Sequence, residues 1–422
     1  MQRRRILWVL LTALLYFALS GIATRPAQAQ GWQWPPTQKQ QPSREPAQQP
    51  AQPTQQPAEE PAQQPSQQPG QEPAQESGTE TIQRILIEER PLATPPHVGV
   101  ILPLQSSAYA RLAEQVRLGI LTASRMASYN ALPVKVYSTA GEPKQILEAY
   151  ERATREGARA IIGPLTRDGV SAVAERALVS VPTVALNVPA AGLALPSQMY
   201  VFGLQIETEA EQVARLAFTR GGRKALVIVG EDALGQRIAQ AFARQWRKLK
   251  GDIVDEFKYS TDAAELTRLR ALVDTTAADV VFLALNAPRA RFIRTYLGTE
   301  LPIYATSLVY ASTNRLELYD LNGVRFMDMP WLLQPDHPAV MTYLRAPLDS
   351  GALDEERFYA LGIDAYRISQ ALLENSTASA PIDGVTGTIK LDEKHYFTHE
   401  LTPAYFSYGR AHQLPDEAGG DR

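Results

Sequence analysis

Apolar residues in this chain fall into short β-branched and aliphatic runs separated by longer stretches with helical spacing. The first clear run is His97-Val-Gly-Val-Ile-Leu-Pro-Leu104, whose length and Val/Ile content predict a buried strand. Leu112, Val116, Gly119, Ile120 and Ala123 then recur at helical intervals, with Arg111, Glu114, Arg117 and Arg125 between them. The pattern repeats: a strand over Leu132–Tyr137, a helix over Glu142–Gly157, a strand over Ala158–Gly163 and a helix from Thr166 to Val179. Strands alternating with helices over short connections predict a parallel sheet wound with right-handed crossovers. Ligands of such sheets lie beyond the carboxyl ends of the strands, here Pro103–Ser107, Ser138–Gly141 and Gly163–Thr166.

A fourth strand is predicted at Val181–Leu186, a loop at Asn187–Gly192 and a short strand at Met199–Gly203. A second set of alternating units follows. Helices are predicted over Glu207–Gly221, Leu234–Lys250, Ala263–Thr275 and Ala287–Leu297. The strands between and after them are Lys224–Gly230, Asp252–Tyr259, Asp279–Ala284 and Leu301–Ala305. The nearly unbroken apolar character of Lys224–Gly230 is that of a strand covered on both faces. A long helix over Asp354–Asn375 and two antiparallel strands, Gly384–Leu391 and Leu401–Tyr408, complete the folded part.

The first 95 residues are different material. Arg3, Arg4 and Arg5 precede an apolar run from Ile6 to Ile22, and Ala27-Gln28-Ala29 is a small-x-small cleavage pattern before Gln30. Residues 1–29 are thus expected to be a signal peptide, with an uncleaved anchor as the alternative. Either places the remainder outside the cytoplasm. Residues 30–95 are rich in Gln and Pro, with Pro-Ala-Gln-Gln repeated, and are expected to be a disordered spacer. As polyproline II, residues 30–80 would reach on the order of 150 Å at ~3.1 Å per residue. The 422 residues carry a net charge of −3, which gives no electrostatic case for nucleic acid. There is no cysteine, which excludes disulfides, thiol chemistry and a lipoprotein cysteine.

Two doubly wound lobes outside the cytoplasm resemble the type I periplasmic-binding-protein fold, and the ending Asp383-Gly-Val-Thr-Gly-Thr-Ile-Lys-Leu-Asp392 is similar to the terminal hairpin of branched-chain amino acid binding proteins. The expected class is α/β, two doubly wound lobes joined by a hinge. The folded domain is expected over 96–410, with lobe I at about 96–187 plus returning segments, lobe II at about 205–303, and a flexible tail at 411–422. The hinge is expected near Asn187–Gln205, with recrossings near Tyr304–Tyr310 and Phe326–Gln334.

Three further runs, Tyr304–Tyr310, Asp320–Leu333 and Phe358–Tyr366, resemble the penicillin-binding-protein activator family of LppC type, over about Pro96 to Gly409. That resemblance implies a non-enzymatic periplasmic regulator, without cofactors, that docks on a bifunctional peptidoglycan synthase. The chain differs from the family's best-known members in having no lipidated cysteine and no N-terminal helical-repeat domain; the Pro/Gln spacer stands in its place. The alternative is the substrate-binding protein of an ABC transporter for an amino acid or other small ligand.

In amino acid binders of this fold, hydroxyls and amides after the first and third strands hold the ligand carboxylate. The matching positions are Gln105, Ser106, Ser107, Leu165 and Thr166; helix capping is the plainer reading of Ser106, Ser107 and Thr166. Asn187 and Tyr310 are further cleft candidates, with a hinge residue and a packed tyrosine as the plainer readings. Ala305–Ala311 offers no carboxylate for a ligand amine, which argues against amino acid binding in the usual mode. Asp328, Met329, Pro330 and Trp331 read first as interlobe packing at a hinge, with a docking surface as the rival. His395 and His399, four apart between strands, read as a solvent-facing pair rather than metal ligands. No serine-hydrolase, zinc-protease or phosphate-loop motif occurs, so no enzyme class is indicated.

Overall fold

The computed structural model describes residues 94–345, 352–374 and 380–415, which belong to one compact unit. The expected signal peptide, nearly all of the spacer and the last seven residues of the tail lie outside the described residues.

Lobe I opens with β1 (His97–Leu102), α1 (Ala110–Arg125), β2 (Val134–Ser138), α2 (Pro143–Arg155), β3 (Ala158–Ile162), α3 (Arg167–Arg176), β4 (Thr183–Ala185) and β5 (Met199–Val201). The strands lie in the order β2-β1-β3-β4-β5, all parallel, with Val100 opposite Val136 on one side and Ile162 on the other. Alternation along β1 divides the lobe's core. Val98, Val100 and Leu102 join the cluster containing α1, while Ile101 packs with Tyr150 of α2 and Val170 of α3.

Lobe II contains α4 (Ile206–Thr219), β6 (Lys224–Val229), α5 (Ala233–Lys248), β7 (Asp252–Lys258), α6 (Ala263–Thr275), β8 (Val280–Ala284), α7 (Ala287–Arg294) and β9 (Ile303–Ala305). It continues through a 3-10 turn (Ser307–Val309), α8 (Arg315–Tyr319) and β10 (Val324–Asp328). Local signals set its helix starts. Asp232 accepts from Gly235 N at 2.8 Å, and Asp262 accepts from Ala264 N and Glu265 N at 2.9 and 3.2 Å; such caps contribute about 1 kcal/mol each. On α5, Phe242 stacks on Phe282 of β8 and on Trp246, with centroids 3.9 and 5.3 Å apart.

The chain returns to lobe I through α9 (Pro330–Leu333), α10 (Pro338–Met341) and α11 (Leu353–Leu373). Helix α11 lies directly on α1. A Cβ at Gly119 would fall 2.0 Å from Tyr359 O, and one at Gly362 would fall 2.2 Å from Val116 O, so the contact requires both glycines. Strands β11 (Ile382–Asp383), β12 (Thr388–Leu391) and β13 (Phe397–Glu400) form a small antiparallel sheet. Strands β14 (Thr402–Ser407) and β15 (Arg410–Gln413) then rejoin lobe II, whose sheet runs β15-β14-β10-β9-β8-β6-β7.

The two-lobed α/β fold is the expected one, but its boundaries differ in three places. Lobe II does not close at 303. Tyr304–Tyr310 stays inside it, because β10 pairs in parallel with β9 and the crossover between them is only a 3-10 turn and a five-residue helix, too short to show a helical period. The two late antiparallel strands do not pair with each other: β12 takes β13, and β14 takes β10 and β15. Residues 411–413, placed in the flexible tail, belong to β15.

Candidate functional site

Three crossings join the lobes: Phe202–Gln205, the stretch after Asp328, and Glu400–Thr402. Where they meet, the interior is charged. Asp328 ends β10 and is 2% exposed; Arg357, in the first turns of α11, is 7% exposed. Arg357 donates from Nη2 to Asp328 Oδ2 at 2.6 Å and from Nε to Oδ1 at 3.2 Å. It also donates to Asp354 Oδ1 at 2.7 Å and to the Ser307 and Tyr310 carbonyls at 3.3 and 2.8 Å. Burial opposes the guanidinium charge, but Asp328 outweighs it and holds Arg357 above its ordinary range.

Beside this pair, Glu209 of α4 accepts from the Ser307 backbone N–H and from Ser307 Oγ, the latter at 2.9 Å. Burial, helped by the charge of Asp328, pushes the Glu209 carboxyl up to about 8 against those two hydrogen bonds. His399 of β13 packs edge-on against Phe202 at 5.9 Å. Its Nδ1 is buried without a partner among the described residues, and burial holds the imidazole down to about 4. Glu209, Ser307, Asp328, Arg357, Phe358 and His399 line a cavity of about 210 Å³.

The residues expected to form a cleft are only partly brought together. Leu165 and Asn187 line a pocket of about 130 Å³ on the lobe I side, joined by an Asn187 Nδ2 donation to Leu165 O at 3.1 Å. Gln105, Ser106, Ser107 and Thr166 do not line it. Thr166 caps α3, accepting from Gly169 N at 3.3 Å. Neither Ser106 nor Ser107 caps α1, whose N-cap is Tyr109 without a side-chain bond; the turn before the helix is too long for either to reach. Tyr310 is packed against Phe326 and Phe406. Asp328, Met329, Pro330 and Trp331 are all buried, and the Trp331 indole donates to Glu356 Oε2 at 2.5 Å, so this run presents no exposed docking face.

The histidines also differ from expectation. Neither faces solvent: His395 stacks on Tyr200 at 4.9 Å, and His399 follows Phe397 inward by strand alternation. Sequence reasoning missed Glu209 and Arg357. Their signal was a charged residue on a helix face otherwise buried, clearest in α11, where Glu355, Arg357 and Asp364 sit within an almost wholly buried helix. The carboxyl absent from 305–311 is supplied from a distance by Glu209, which occupies Ser307's donors.

Two doubly wound lobes, three crossings and a cavity at their junction define a type I periplasmic-binding-protein-like fold. A family model described as "LppC putative lipoprotein" matches residues 44–409, and the chain belongs to that family. It is 26% identical over 313 residues to penicillin-binding protein activator LpoA of Haemophilus influenzae, covering 72% of this chain and 53% of that protein. To LpoA of Vibrio cholerae it is 24% identical over 348 residues, covering 74% and 57%. The chain thus spans little more than half the length of these relatives.

Among solved structures, a "putative branched-chain amino acid ABC transporter" from Chromobacterium violaceum is 37% identical, with a TM-score of 0.65, covering 74% of this chain and 99% of that one. The C-domain of H. influenzae LpoA, described as a regulator of PBP1A, is 23% identical with a TM-score of 0.64, covering 76% of this chain and all of that domain, and shares the fold.

Proposed function

We propose that this chain is a non-enzymatic regulator in the periplasm that docks on a bifunctional peptidoglycan synthase, a penicillin-binding protein, and stimulates it. Membership of the LppC family and relatives named as penicillin-binding protein activators support the reading. The observation that carries it is the state of the interlobe junction. Arg357 is bound by Asp328, Asp354 and two carbonyls, and Glu209 is bound by Ser307 and kept protonated by burial, so the polar groups a ligand would need are already engaged by the protein itself. A ligand site instead turns a few placed polar groups towards its ligand.

A second reading, the substrate-binding protein of an ABC transporter, is favoured by the 37% identical structure of that description and by the 130 Å³ pocket at Leu165 and Asn187. One experiment separates the two. The full chain is titrated against the organism's own bifunctional synthases in polymerisation and cross-linking assays, and its melting temperature is followed with leucine, valine and isoleucine. Binding with faster polymerisation or cross-linking is the expected result. No effect on any synthase, together with a rise in melting temperature with an amino acid, assigns the chain to transport.

A further inference from the structure

The β14–β15 hairpin carries a residue that its backbone disfavours. Ser407 pairs with Arg410, leaving Tyr408-Gly409 as a two-residue loop with φ of 50° and 70°. Positive φ at both positions is the requirement of a type I′ turn, for which Asn-Gly is the favoured pair. A tyrosine in the left-handed region is disfavoured by its Cβ, and residues so held concentrate at functional sites. Packing does not compensate for it, since Tyr408 is 79% exposed.

The surroundings are equally unspent. The turn sits on the first residue of α8: a Cβ at Gly409 would lie 2.5 Å from Arg315 O. Beside it, Leu316 and Tyr319 are 80% and 61% exposed and share a helix face at i and i+3. A single exposed apolar side chain needs no explanation, but three beside a disfavoured turn do. The tip carries charge of both signs, but the two signs are differently engaged. Glu317 and Asp320 are taken by Arg291 at 3.5 and 3.1 Å, whereas Arg315 and Arg410 are exposed and make no ion pair among the described residues.

We propose that this tip, Tyr408 with Leu316 and Tyr319 flanked by Arg315 and Arg410, is the face that docks on the synthase, against an apolar patch with an acidic rim. Exposed aromatic residues of this kind supply the energetic centre of protein interfaces, and unpaired arginines at the rim select an acidic surround and speed encounter. The proposal rests on the regulator reading above and adds where contact is made.

The test compares the full wild-type chain with Y408N and with the double variant L316S/Y319S. Each is measured for synthase affinity, for stimulation and for melting temperature. Y408N installs the residue the turn favours, so its melting temperature is expected to hold or rise while its Kd increases at least tenfold. L316S/Y319S, altered only at exposed positions, is expected to lose affinity similarly, and raised salt is expected to weaken wild-type binding. If wild type binds and stimulates and both variants match it, docking lies elsewhere and the regulator reading survives. If wild type itself binds no synthase, both readings fall. A lower melting temperature for Y408N overturns the claim that Tyr408 is held against the preference of its backbone.

Discussion

The junction between the lobes and the far tip of lobe II depart from ordinary side-chain distribution in opposite directions. The junction buries ionisable groups: Asp328, Arg357 and Glu209 are all nine-tenths or more inaccessible. The tip exposes apolar surface at Leu316, Tyr319 and Tyr408. At the junction each charged group finds its complement within the chain, through a bidentate Arg357–Asp328 pair and the two Ser307 donors. At the tip neither the aromatic faces nor the two arginines find one among the described residues. A buried ion pair is a matter internal to the fold, and an unmatched surface is a request for something outside it. On this comparison the junction has the character of a structural joint, although it lies where the fold's ligand cleft is expected, and the proposed interaction is placed at the tip.

The sharpest test of the joint is Arg357→Met, which leaves Asp328 buried and unpaired. A loss of about 3–5 kcal/mol in urea unfolding is expected, and the double change with Asp328→Leu should recover most of it. A loss within experimental error for the single variant would mean that the charges are not mutually dependent.

The pH dependence of stability sharpens the same side. With its folded pKa raised from 4.5 to about 8, Glu209 keeps a proton that the unfolded chain has released, so stability falls as pH rises through that window. His399, lowered from 6.5 to about 4, acts in reverse: the unfolded chain binds the extra proton, and stability rises with pH between those values. The two oppose each other from 4.5 to 6.5, leaving Glu209 alone above. Glu209→Gln should therefore flatten the decline between pH 6.5 and 8 in thermal melts; an unchanged slope would remove Glu209 as its cause.

At the tip the effects are smaller and of opposite sign. Tyr408→Asn should stabilise the fold by roughly 1 kcal/mol, the order of the left-handed penalty it relieves, read as a higher unfolding midpoint. Arg315→Gln should change stability by less than about 0.5 kcal/mol, as for an exposed side chain without partners, while slowing association with an acidic partner in stopped-flow mixing.

Much of the fold was legible because doubly wound lobes announce themselves through repeated short apolar runs and amphipathic helices. The strand at Lys224–Val229 and the α5 face of Ile238, Phe242 and Trp246 needed no tertiary information. What failed was pairing across long separations. β14 lies beside β10, from which it is separated by the whole of α11, and nothing local distinguishes that partner from β12. The site was less legible for the same reason. Thr166 as a cap is a local event and was readable, whereas Glu209 meets Ser307 and Arg357 meets Asp328 only after the lobes have closed on one another.

The late return of the chain bears on how the molecule is assembled. Helix α11 closes lobe I against α1, and β14 and β15 close lobe II against β10. Neither lobe is therefore a continuous stretch of sequence: lobe I waits for α11, and lobe II for β15, which ends at residue 413. A growing chain would hold α1 with an uncovered face until α11 is made, and β10 with an open edge until β14 follows, the kind of surface that chaperones retain. Completion of both lobes is thereby deferred to the chain's late segments, an order compatible with passage through a narrow pore before folding.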